Sequence, residues 1–107
     1  MTMKRLLAFV LTLFVVAPPS FAAGHREASQ PGLTVRLFAE PCVSEVVLAF
    51  TVLVAPGKDY FAGNVTWQGK NYVACWAVLD EKHVLVIDED GDAGAVPLAA
   101  FKFIPGL

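Results

Sequence analysis

Cysteine and histidine are almost absent: the 107 residues hold two of each. Structural zinc takes four ligands, and dithiol redox motifs place their cysteines two residues apart. Cys42 and Cys75 are 33 residues apart and His25 and His83 are distant from each other, so neither chemistry is indicated. Basic residues are also few, eight against ten acidic. That argues against nucleic acid or an anionic membrane surface as partner, because both select for basic patches. A nucleophile with a partnered base is missing as well. Ser29 lies in a polar stretch, Ser44 sits where a helix would be capped, and His83 has no evident orienting group in the sequence. The expectation is a protein that is not an enzyme.

No apolar run is long enough to span a bilayer, which takes about 20 residues. The uncharged apolar run near the N-terminus, residues 6–16, follows Lys4 and Arg5 and precedes Pro18-Pro19 and the small-x-small Ser20-Phe21-Ala22. This is the build of a signal peptide over residues 1–22, removed on export to the periplasm or medium, with no membrane insertion after cleavage. What remains is 85 residues, one small domain, with six basic against ten acidic groups and a formal charge of −4. A cationic partner surface suits that charge. Two cysteines in an exported chain of this size are expected to pair as Cys42–Cys75.

Along the chain, residues 23–32 are polar, end in Pro31-Gly32 and read as a flexible arm, with His25 in solvent. The single domain then covers residues 33–107. Residues 33–38 alternate as a strand, ended by Pro41. Residues 43–54 carry two competing signals. Ser44 and Glu45 suit a helix N-terminus, while the valine-rich run favours a strand. A short helix is the favoured reading, with Val46, Phe50 and Leu53 on one face beside Val47 and Val54. Such an apolar segment is expected to be covered.

The rest reads as a meander. Gln68-Gly69 suits a two-residue turn that sets Trp67 opposite Lys70, Thr66 opposite Asn71 and Val65 opposite Tyr72. Val65, Trp67, Tyr72, Ala74, Trp76 and Val78 then share one face, and Val73, Cys75 and Ala77 the other. A second turn at Asp80-Glu81 would add Leu85 and Ile87 to the Trp76 face. Trp67, Lys70, Tyr72 and Trp76 form the candidate binding surface, either core or open, with Trp76 the more buried and Trp67 at a rim. The stem of Lys70 would rest on the Trp67 indole. Asp88, Asp90 and Asp92 space carboxylates around a turn as a calcium loop does, without the glycine and glutamate an EF-hand needs, so weak calcium binding competes with a plain acidic turn. Residues 94–101 look like an edge strand entering one helical turn, and resemble the last strand and turn of SH3-like small barrels. The fold class expected is α+β: a strongly bent antiparallel meander of four to five strands, with one short helix tied to it by the disulfide.

Pro41-Cys42, then Gly69, Tyr72, Cys75 and Trp76, the Asp88–Asp92 turn, Pro97 and Phe101 together resemble small uncharacterised exported proteins of proteobacteria and prophages. The resemblance implies an envelope setting and no particular activity. The functional expectation is an exported, non-enzymatic binding module, with an inhibitor or exclusion factor acting on an envelope or phage protein as its candidate role. The alternative is a calcium-binding or structural envelope component built on the acidic turn.

Overall fold

The computed structural model describes residues 24–106. The expected signal peptide lies outside them. Among the described residues no helix is long and apolar enough to cross a membrane. The elements are β1 (His25–Gln30), β2 (Leu33–Pro41), helix α1 (Glu45–Val54), β3 (Phe61–Trp67), β4 (Lys70–Val78), β5 (His83–Asp88), β6 (Ala93–Pro97), a 3-10 turn (Leu98–Ala100) and β7 (Lys102–Ile104). The strands form one antiparallel sheet in the order β6-β5-β4-β3-β2-β1-β7.

That sheet must curl. Its two edge strands, β6 and β7, are joined by residues 98–101 alone. Five Cα steps reach roughly 18 Å at most, whereas seven flat strands would be roughly 29 Å across. The core records the curl. Val35 and Leu37 of β2 pack in one cluster with Val84 and Val86 of β5, and Val96 and Phe101 close over them. The second cluster lies on the opposite face, where α1 covers Cys75, Leu85 and Ile87 with Val47.

The small bent antiparallel sheet with one helix is therefore present, but with seven strands instead of four or five. The residues expected as a flexible arm form β1, paired with β2 on one side and β7 on the other. Pro31-Gly32 is the hairpin turn between β1 and β2, with Gly32 at φ 78°. His25 is half-buried, its ring 5.3 Å from that of Phe38. β7 supplies the other unexpected strand.

The disulfide Cys42–Cys75 is formed, with a Cα–Cα distance of 5.6 Å. Cys42 precedes α1 in the connection from β2, so the bond fastens that connection to β4, and the helix is held by its own packing. Ser44 caps α1, its hydroxyl accepting from the Val47 amide at 3.3 Å. The face that α1 buries is the expected one only in part: Val47 is buried and Phe50 packs against its cluster. Val47 and Thr51 point into the sheet, while Val46 is 59% and Leu53 79% exposed. The Thr51 hydroxyl satisfies itself on the Leu48 carbonyl at 2.7 Å, which lets a polar side chain occupy the buried stripe.

The Gln68-Gly69 turn holds the expected register, with Trp67 opposite Lys70, Thr66 opposite Asn71 and Val65 opposite Tyr72. The next turn departs from expectation by one residue. Leu79 pairs with His83 around three residues, 80–82, its amide donating to the His83 carbonyl at 3.0 Å. Trp76 therefore opposes Val86, and Cys75 opposes Ile87. A one-residue slip exchanges the two faces of a strand, so Val84 and Val86 join Trp76 while Leu85 and Ile87 join Cys75. Asp80 stabilises the odd-numbered turn by accepting from the Lys82 amide at 2.8 Å.

Candidate functional site

The four residues of the expected aromatic surface share one face of the sheet but not one place on it. Trp76 lies six residues along β4 from Lys70, roughly 20 Å at strand rise. Its indole packs against the Phe61 ring at 5.1 Å between centroids, and its Nε1–H donates to the Phe38 carbonyl at 2.9 Å. That carbonyl falls where the β2–β3 register shifts between Leu37 and Pro41. A Cβ on Gly63 would stand 3.2 Å from the Arg36 carbonyl oxygen and 3.4 Å from the indole Cδ1, so the ring packs close over this position. Trp76 is thus a half-buried core residue at one mouth of the curled sheet.

Trp67, Lys70 and Tyr72 stand at the other mouth. Trp67 is 45% exposed. Lys70 reaches over the Tyr72 ring, 5.8 Å from its centroid, so the tyrosine and not the expected Trp67 indole carries the ammonium stem. The β5–β6 turn arrives at the same mouth. Leu33, Val65, Trp67 and Tyr72 together with Asp88, Asp90 and Asp92 line one concavity of about 220 Å³. Sequence reasoning named the aromatic and the acidic residues separately. The pairing of Ala74 with Asp88 is what sets them side by side.

The turn itself is built by Asp88. Its Oδ1 accepts from the amides of Asp90 at 2.9 Å and Asp92 at 3.1 Å, while its carbonyl accepts from the Gly91 amide at 3.0 Å. Gly91 sits at φ 87°, against the Phe50 ring of α1, where a Cβ would lie 3.0 Å from the nearest ring carbon. One oxygen from each of Asp88, Asp90 and Asp92 falls within 4.8 Å of the others, and Asp90 and Asp92 are exposed. Glu89 points elsewhere and takes the Val73 amide at 2.6 Å, a donor that lies just beyond the end of the β4–β5 ladder. The cup therefore combines an apolar floor, two aromatic faces and carboxylates. Those are the groups that hold a basic side chain, through ring quadrupole and charge together.

A polar belt crosses the neighbouring outer face. Arg36 donates from Nε to Glu27 and from Nη1 to Asn64 and Thr66, each at 3.2 Å. Glu27 also receives His25 Nε2 at 3.2 Å, and Asn64 donates to the Tyr72 carbonyl at 3.2 Å. The hydrogen bond from His25, with help from the Arg36 charge, holds the Glu27 carboxyl below its ordinary value of 4.5 against an opposing effect of burial. A carboxyl depressed in this way stabilises the fold above its unfolded pKa, and the contribution fades as pH falls through the folded value. The stability difference between the protein and Glu27→Gln is therefore expected at neutral pH and should shrink as urea midpoints are taken below pH 4.5.

His83 does have an orienting group: its Nδ1 lies 3.0 Å from Asp80 Oδ1. Both are exposed in the β4–β5 turn, and among the described residues no hydroxyl or thiol is hydrogen-bonded to the ring. The Asp80 carboxyl is held low, chiefly by the Lys82 amide and then by His83. This is the chemistry of a structured turn. A scan against protein-family models, a search of curated proteins and a search of solved structures each return no match for the chain.

Proposed function

We propose that the protein is an exported, non-enzymatic binding module whose acidic aromatic cup takes a basic side chain of an envelope or phage protein, acting there as an inhibitor or exclusion factor. The observation that carries this reading is the meeting of Trp67 and Tyr72 with Asp88, Asp90 and Asp92 around one concavity. The formal charge of −4 left after the expected signal peptide favours encounter with a cationic surface. The Cys42–Cys75 bond suits an oxidising compartment.

The test is capture of envelope proteins on the tagged, oxidised protein at low and high salt. A specific partner should be retained at low salt and released as salt screens the cup. Trp67→Ala and Asp90→Ala should each weaken its retention about two- to fivefold, the size of one exposed cation–π or charge contact removed. Asp90 suits the purpose because only its amide supports the turn. A partner held equally by both variants, or indifferent to salt, would remove the cup from the account.

A second reading has its own observation. Three carboxylate oxygens within 4.8 Å of one another suit weak calcium binding, and with it a structural envelope role. A ligand of the native state raises its melting temperature. Millimolar calcium should then raise the midpoint over that in chelator, and Asp92→Asn should abolish the rise. Equal midpoints would end this reading and leave the first untouched.

A further inference from the structure

The curled sheet is not closed. β6 pairs with β5 along one side only. β1 pairs with β2 over residues 26–30, but β7 covers its other side only at residues 25–27. The outer side of β1 at residues 28–30 and the outer side of β6 therefore both lack a strand partner among the described residues. They face each other across a groove of about 450 Å³. Ala28, Ala95 and Ala100 keep its walls low, and Leu33, Val35 and Val96 give it an apolar floor.

A bare edge offers a row of backbone donors and acceptors, and folded proteins usually guard it with lysine, a bulge, an inward charge or a covering loop. β6 reads Ala-Gly-Ala-Val-Pro, with no charge and a proline only at its last position. No ionisable side chain lines the groove. Its chemistry therefore suits main-chain pairing and small apolar side chains, and gives a charged ligand nothing to hold.

We propose that this seam takes an extended, uncharged segment of a partner protein, which adds as a strand to the β6 edge and turns a small apolar side chain at every second position onto Leu33, Val35 and Val96. Backbone hydrogen bonds supply the affinity and alternate side chains the selectivity, as in other strand-addition complexes. Five residues of β6 present roughly 17 Å of edge, enough for a pentapeptide. The site is separate from the acidic cup, and neither reading needs the other.

The probe is the pentapeptide acetyl-Thr-Val-Thr-Val-Thr-amide, with a version N-methylated at all five residues as control. The readout is amide hydrogen exchange of the oxidised protein, read at Ala93, Ala95 and residues 28–30. The plain peptide at millimolar concentration should slow exchange at least tenfold at Ala93 and Ala95, whose N–H groups face the free edge because Gly94 and Val96 are the residues that bond β5. The N-methylated peptide should not, since it cannot donate along that edge. Ala95→Lys, which places a charge on an exposed position of β6, should abolish the slowing while the near-ultraviolet signal of Trp76 persists. Exchange unchanged by the plain peptide would overturn the proposal, as would equal slowing by both peptides. So would slow exchange in the free protein that grows with its own concentration, which would assign the seam to a second copy of the chain.

Discussion

Replacing Cys42 and Cys75 together by alanine is expected to lower the unfolding free energy by about 3–4 kcal/mol, the loop-entropy value for a 33-residue separation. A domain of this size has a total of only about 4–12 kcal/mol, so the variant should sit close to its unfolding threshold. Alanine is the substitution to use. Cys75 is fully buried between α1 and the sheet, and a serine would add the cost of an unpaired hydroxyl. Urea unfolding should show a lower midpoint and also a steeper slope, because an uncrosslinked chain exposes more surface when it unfolds. A midpoint within a few tenths molar of the parent would mean that α1 and β4 hold the β2–α1 connection without the bond.

The other large effect is expected at Trp76. Trp76→Ala should cost about 3–5 kcal/mol, the range for removing a large aromatic side chain from a core. Three losses combine there. The indole leaves a void above Gly63, the Phe61 ring loses its neighbour, and the Phe38 carbonyl loses its donor at the irregularity of β2. Trp76→Phe separates them, since it keeps most of the ring and drops only the donor. It should cost about 1–2 kcal/mol, the range for one unsatisfied acceptor with partial access to water. Equal costs for the two variants would show that the hydrogen bond dominates and the packing matters little.

How much of this was legible in the sequence depended on turn chemistry more than on hydrophobic pattern. Gln68-Gly69 has a glycine where φ must be positive, and the whole β3–β4 register follows from it. The turn at residues 80–82 carries no glycine, and its three-residue length comes from Asp80 accepting from the Lys82 amide. Since β5 is apolar at four consecutive buried positions, Val84 to Ile87, alternation could not reveal the slip. The helix was readable from Ser44 and Glu45, but its buried face only in part. Nine of its ten residues are apolar or Thr51, so the one polar side chain able to satisfy itself locally turns inward. β1 was missed because its sequence, His-Arg-Glu-Ala-Ser-Gln, is polar. It becomes a strand by pairing with β2 through the Pro31-Gly32 hairpin and with β7 from far along the chain, and alternation in its own residues announces neither. The cup was half visible, as two residue sets whose meeting depends on the β4–β5 register.

The placement of β1 between β2 and β7 has a consequence for the order of events in synthesis. Among the described residues β7 has no strand partner other than β1, and its ladder joins residues 102–104 to residues 25–27. β1 must therefore wait, with one side unsatisfied, until β7, at least 75 residues further along the chain, has emerged. Contacts this distant along the chain are closed late and slowly. For that interval the growing chain carries a strand with one bare edge. A machinery that holds the chain extended until it is complete would suit this topology better than one that releases it segment by segment.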